Sequence, residues 1–282
     1  MSIKEIVFKR RKDRPMKLID TSFLTLEADE VYREKASEYL TSHALADFRR
    51  SPLLFRKKEM GIVKDEERPA YLVGRAAHVL ILEGSGAFEE QYVVGGPVNP
   101  TTGEVYGTRT KAYKEWADSQ GRPVLSDEQF ALIDALRQSV HAHKAATELL
   151  SSGVAEGVVR AQYARVDCQA RLDWFNPERG IVDLKTCDNI DWFQLDSRSY
   201  GYAHQVAFYR ALVNAATGKV VPVWLIAVEK REPFRCGVWR MGEDVLGIVQ
   251  KENEAAIERL KRCREAGIWE TGYEKVRLFD WI

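Results

Sequence analysis

The run VVPVWLIAVEK, residues 220–230, constrains the fold most. It stays apolar from Val220 to Val228, where a half-solvated strand would alternate. An unbroken apolar run of this length suits a strand covered on both faces. Such a strand lies inside a sheet with helices packed on it. The rest of the chain agrees. TSHALADFRRSPLLFRKKE has Thr41 or Ser42 as a helix N-cap, with Leu45, Phe48 and Leu53 facing inward and Pro52 opening a new turn or helix. Residues 67–84, ERPAYLVGRAAHVLILEG, repeat at helical spacing through Leu72, Ala76, Val79, Leu80 and Glu83. A turn-rich stretch follows, GGPVNPTTGEVYGTRTK, too long for an ordinary loop. TKAYKEWADSQ and SDEQFALIDALRQSVHAHKAATELL are two further helices, the second opening on Ser126 with a capping-box pattern.

Near residue 155 the period changes. AEGVVRAQYA, VDCQARLDWFN and GIVDLKT are short strand-like runs, and NPERG (176–180) is a hairpin turn. GYAHQVAFYRALVNAATG returns to helix and stops at Gly218. The 220–230 strand, a further strand at CGVWRM and a long final helix complete the order. The expected fold class is α/β (α+β): one sheet with helices packed on it. Residues 1–37 form a lead, charged and without a clear period, expected to be loosely attached. Residues 38–282 form one domain.

The 282 residues carry 42 basic and 42 acidic side chains, a net charge of zero. That balance argues against non-specific coating of nucleic acid, and leaves room for a local basic channel. The four cysteines, Cys168, Cys187, Cys236 and Cys263, are too scattered for a zinc ribbon and read as reduced thiols of a cytoplasmic protein. No apolar run reaches the roughly 18 residues of a membrane span, so no membrane partner is expected.

IVDLKT carries the chemistry. In a strand Asp183 and Lys185 share a face, because side chains alternate. If residues 176–180 make a turn, Asp173 and Asp183 meet across the hairpin. Two converging carboxylates suit Mg²⁺ or Mn²⁺, and the adjacent ammonium suits a phosphodiester. A surface hairpin with an i, i+2 salt bridge has the same spacing. Glu156 can add a third carboxylate or be a solvated strand-start residue. His78, among apolar helix residues, can be a satisfied core histidine or a metal ligand. Gln205 and Tyr209, at i and i+4, can touch a phosphate, position Lys185, or make a buried helix–sheet contact.

Taken together, GRAAHVLILEG, AEGVV, ARLDWF, GIVDLKT and YAHQVAFYR, in this order and spacing, resemble the PD-(D/E)XK nucleases. The chain is most similar to the RecE-type exonuclease VIII catalytic domain of prophages, from about residue 38 to the closing VRLFDW. The resemblance implies a restriction-endonuclease-like core, a mixed central sheet flanked by helices. It implies metal ligation by His78, Asp173, Asp183 and the Leu184 backbone carbonyl. It implies catalysis by Lys185 with Asp183, Asp173, Glu156, Gln205 and Tyr209. The implied activity is Mg²⁺-dependent resection of linear double-stranded DNA from 5′ ends, with Mn²⁺ able to substitute. The 3′ single strands so made would serve recombination by annealing. The implied partners are double-stranded DNA ends, a single-strand annealing recombinase and further copies in a ring-shaped trimer or tetramer. The implied setting is the bacterial cytoplasm, from a phage or prophage gene.

Arg49, Arg50, Arg56, Lys57, Lys58 and Arg75 are candidates for DNA contact, Arg75 as a phosphate clamp one helical turn from His78. The RKK run at 56–58 can equally be a solvated face. Loop 95–110, with Thr108 and Arg109 and Lys111 just beyond it, is a candidate DNA entrance. Three alternatives stand: a single-strand-specific or endonucleolytic relative, a catalytically inactive DNA-binding subunit, and a different metal hydrolase. The intact Asp173, Asp183 and Lys185 argue against the second, and the scarcity of histidine against the third.

Overall fold

A computed structural model describes residues 18–66 and 69–278, the side chains of Pro69 and Ala70 excepted. The first half is helical: α1 (Asp29–Glu34), α2 (Ser42–Arg50), α3 (Pro52–Glu59), α4 (Pro69–His78) and α5 (Ser85–Gln91). Between α4 and α5 the chain makes a π-helical turn at Val79–Glu83. A two-stranded parallel ladder, β1 (Val93–Val94) and β2 (Val124–Leu125), brackets α6 (Lys111–Ser119). Then come α7 (Asp127–Ala142) and α8 (Lys144–Leu150). The main sheet follows: β3 (Val154–Tyr163), β4 (Val166–Asn176), β5 (Gly180–Cys187), β6 (Val223–Glu229) and β7 (Cys236–Arg240). Helices α9 (Phe193–Tyr200) and α10 (Tyr202–Thr217) link β5 to β6, and α11 (Glu243–Ala266) follows β7.

In the main sheet β3 to β7 lie side by side in chain order, and of these only β5 and β6 run parallel. The 220–230 run is the doubly covered strand its composition predicts. Val223, Leu225 and Ala227 face a core with Val206, Phe208 and Leu212 of α10 and Leu45 and Phe48 of α2. Ile226 and Val228 face the opposite core, with Ala76, Ala77 and Leu80 and with Ile133, Leu136 and Val140 of α7. This is a mixed sheet between two helical layers, as expected.

Local signals explain the element ends. The Thr41 hydroxyl accepts from the Ala44 N–H at 3.1 Å and caps α2. Ser51 caps α3, with Pro52 in its first turn. Ser126 and Gln129 form the capping box of α7. Asn176 fixes the 176–180 turn by accepting from the N–H groups of Glu178 and Arg179 at 2.9 and 3.0 Å. Gly180 is required there. Its φ is +91°, and an added Cβ would lie 2.2 Å from the Pro222 carbonyl oxygen.

Two expectations are corrected. Residues 126–150 are two helices, because His143 is extended and caps α8, its Nδ1 accepting from the Ala146 N–H at 3.3 Å. Residues 18–37 are not loosely attached. Ile19 is buried, Thr25 pairs with Val158, and Glu27 is ion-paired to Arg160. Residues 1–17 of the lead, Glu67 and Arg68 of the 67–84 helix, and Phe279, Asp280 and Trp281 of VRLFDW lie outside the described residues.

Candidate active site

The site sits where β4 and β5 part. These strands pair only at Trp174–Val182, Phe175–Ile181 and Asn176–Gly180. The same register sets Asp173 opposite Asp183, but the ladder has ended, and beyond it β5 pairs with β6 alone. The Leu184 N–H, pointing into the gap, donates to Asp173 Oδ2 at 2.8 Å. A side chain thus replaces the missing strand partner, satisfying a buried backbone donor.

Three ligand-type side chains converge on this gap. His78 ends α4, Glu156 lies near the start of β3, and Asp173 lies on β4. Each offers an atom within 4.8 Å of the others'. His78 Nδ1 is 3.6 Å from Asp173 Oδ2. Glu156 holds a φ of +52°, a left-handed conformation unusual for a non-glycine residue and typical of functional sites. Arg171 holds its carboxylate, Nε to Oε2 at 2.5 Å, and reaches Asp29 of α1 with Nη1 at 2.7 Å.

Asp183 and Lys185 form the other half. Lys185 Nζ lies 2.6 Å from Asp183 Oδ2. Asp183 has no exposed surface, and neither of its oxygens accepts a hydrogen bond of ordinary geometry. The lysine contact is therefore an ion pair at close range with poor hydrogen-bond angles. It leaves coordinating capacity on a buried carboxylate.

The electrostatics follow from burial. Burial raises the Asp183 carboxyl to about 6, against the pull of Lys185. Burial raises Glu156 to about 8, with Asp173 adding to the effect and Arg171 opposing it. Asp173 is raised by burial too. Burial lowers the His78 imidazole to about 4, with help from the Lys185 cation, so it is neutral at pH 7. Burial alone would depress Lys185, but Asp183 and Asp173 outweigh it and keep the ammonium charged. With Glu156 protonated, Asp173 and Asp183 balance Lys185 and Arg171; ionisation of Glu156 against a bound cation would leave a negative remainder, and the neutral imidazole supplies a lone pair. These donors, with the unpartnered Oδ1 of Asp183, fit a hard divalent cation.

The sequence reading grouped His78, Asp173 and Asp183 as ligands. In the structure Glu156 completes the tight trio, and Asp183 stands beside it, paired to Lys185. Gln205 and Tyr209 do form a unit, Nε2 donating to the tyrosine oxygen at 2.7 Å. Burial, then Asp183 and Asp173, hold Tyr209 well above the usual phenol value, so it stays a neutral donor.

The basic candidates divide. Arg75 is exposed on α4, one turn before His78, and Arg50, Lys57 and Arg109 are exposed. Arg49 is an internal tie, donating to Asn253 of α11 at 2.5 Å. Arg56 pairs with Glu59, Lys58 with Asp47 and Asp65, and Lys111 with Glu115. Two residues were missed. Arg171 lies two positions before Asp173, and this i, i+2 spacing on one strand was the available signal. Tyr202, whose ring centroid is 4.8 Å from Lys185 Nζ, lies three before Gln205 on the same helix face.

Comparisons with known proteins bear on this geometry. Residues 42–280 match the family described as "PDDEXK-like domain of unknown function (DUF3799)". No curated protein matches the chain. A "Putative exonuclease" of known structure from Eubacterium rectale superposes with a TM-score of 0.65 at 17% identity, over 92% of this chain and 97% of that one. LHK-Exo, solved in complex with dAMP, gives a TM-score of 0.34 at 12% identity, over 85% of this chain and 98% of its own. The first likeness is one of fold.

Proposed function

Because the chain belongs to the PDDEXK-like family DUF3799, we propose that it is a metal-dependent deoxyribonuclease resecting linear double-stranded DNA from 5′ ends. One observation carries the reading. A buried carboxylate, Asp183, is paired through Oδ2 with a charged lysine, keeps Oδ1 without a partner, and sits opposite the His78, Glu156 and Asp173 trio. A salt bridge made for stability alone would not leave Asp183 so poorly satisfied. The exonuclease name of the Eubacterium rectale protein supports the same direction.

His78, Glu156, Asp173, Asp183 and the Leu184 carbonyl would hold the cation, with Mg²⁺ as the expected occupant and Mn²⁺ as a substitute. When bound, such an ion neutralises phosphate charge and acidifies water. The protein's own groups do the rest. Lys185 holds a positive charge at the edge of the gap, where it orients the attacking water or offsets charge building on the phosphate. Asp183 keeps that lysine protonated and in place. Tyr209, neutral and held by Gln205, supplies a further donor. Arg75, exposed one turn from His78, is placed to take a neighbouring phosphate.

We extend the proposal to the assembly. A net charge of zero gives a single copy little long-range grip on DNA. A ring of three or four copies enclosing the duplex would replace that grip. A single-strand annealing recombinase would take the 3′ strands, in the cytoplasm of a bacterium carrying the gene on a phage or prophage. No helix among the described residues is long and apolar enough to cross a membrane.

The test is digestion of linear duplex DNA labelled at the 5′ or 3′ end, beside nicked and closed circles, with Mg²⁺. The expected result is loss of one strand from 5′ ends and intact closed circles. Cut circles would replace this reading with an endonuclease, and binding without cutting would replace it with an inactive DNA-binding subunit.

A further inference from the structure

Lys185 stands over the third ring of a ladder, Trp239, Phe193, Tyr202 and Tyr200, whose outer ring the proposed chemistry does not use. Its Nζ lies 4.8 Å from the Tyr202 ring centroid. On one side of Tyr202 lies Phe193, centroids 6.3 Å apart, itself buried and 4.7 Å from Trp239. On another lies Tyr200, with centroids 5.6 Å apart and planes tilted by 32°. The inner end of the ladder is thus anchored in the core. The outer end is open, since Tyr200 is 70% exposed. Folding gains little from a large ring held in water. Its position is well defined nonetheless. Tyr200 ends α9, and Gly201, in the left-handed conformation, turns the chain directly into α10. The exposed ring therefore lies one ring beyond the one beneath the charged lysine.

We propose that Tyr200 is the stacking platform for the terminal base of the DNA strand being cut. This rests on the nuclease reading given above. A nucleobase offers a flat π-face to an exposed tyrosine whatever its sequence, as suits an enzyme that removes successive nucleotides. Lys185 fixes where the scissile phosphate lies. Tyr200 lies one ring contact beyond the Tyr202 ring under that lysine, within reach of the base on the nucleotide next to the scissile bond. Only a base with a free outer face, at a strand end or in a frayed segment, can take that position. The ring would thus favour ends over duplex interiors, and the contact would act in binding and register rather than in bond cleavage.

The test uses a linear duplex with 2-aminopurine at the 5′-terminal position. Binding is read in a Lys185→Ala background, and turnover in the active enzyme. The Lys185→Ala protein should quench the terminal fluorophore, and adding Tyr200→Ala should relieve the quenching. In the active enzyme Tyr200→Ala should raise KM about tenfold with a much smaller change in kcat. Tyr200→Phe, which keeps the ring, should restore both readouts. Because Tyr200 is exposed, its truncation leaves the core intact, and melting curves will check this. If the active enzyme degrades DNA but Tyr200→Ala changes neither quenching nor KM, the platform is wrong and the nuclease reading stands. If the unmutated protein degrades no DNA, the nuclease reading fails and takes the platform with it.

Discussion

A carboxylate without exposed surface or a well-made hydrogen bond is costly to keep ionised, and Asp183 is one. Its neighbours were only partly legible. Asp183, Lys185 and Asp173 could be read from strand alternation and one turn. Glu156 could not be assigned firmly, because its part depends on an unusual φ and on the β3–β4 register. Arg171 looked like any strand arginine until its fork was seen to span Glu156 and Asp29. If it positions Glu156, Arg171→Ala should weaken Mg²⁺ binding roughly 10- to 100-fold by calorimetry. Lysine should rescue only in part, since it cannot make both contacts. Unchanged affinity would make Arg171 a purely structural tie. A pH effect follows from the same charges. Glu156, raised to about 8, favours folding while protonated, and that contribution is lost as pH rises through its folded value. Asp183, raised to about 6, has lost its share by then. His78, lowered to about 4, acts in the opposite sense, but only below the ordinary imidazole value near 6.5. Without metal, the melting temperature should therefore fall by a few degrees between about pH 6.5 and pH 8. Mg²⁺ should raise it more at pH 8. A flat profile would mean that Glu156 is not held protonated.

At the scale of elements, strong periods and caps were readable. The α2, α7 and α10 boundaries follow Thr41, Ser126 and Gly218 as expected. What escaped had weak local signals. The break at His143 rests on one side chain accepting a backbone hydrogen bond. Helix α9 is short, eight residues, and largely polar. The stretch 18–37 is tied down by backbone pairing, Thr25 to Val158, and by ion pairs, which leave no mark on hydrophobic period. The parting of β4 from β5 depends on the turn before it, so Gly180 gives a sharp test. Gly180→Ala places a Cβ against Pro222 in a positive-φ conformation, and should cost on the order of 2 kcal/mol or more. Denaturant unfolding with an unchanged midpoint would show that the turn relaxes freely.

For the whole molecule, the continuous strand at 220–230 implied helices on both faces, and the sheet sits between two helical layers. Neutral charge excluded little, because the ligand-type side chains are gathered in one gap and leave no mark on the overall balance. On the proposed function, Lys185, beside the buried carboxylates, drives metal-dependent hydrolysis of DNA. The most direct test is single-turnover cleavage of a labelled linear duplex by the unmutated protein and by Lys185→Ala, each with Mg²⁺ and with EDTA. The unmutated protein should cleave with Mg²⁺ and not with EDTA. Lys185→Ala should cleave at least about 10²-fold more slowly while still folding and binding DNA. Equal rates for the two proteins, or cleavage undiminished by EDTA, would contradict the proposed function.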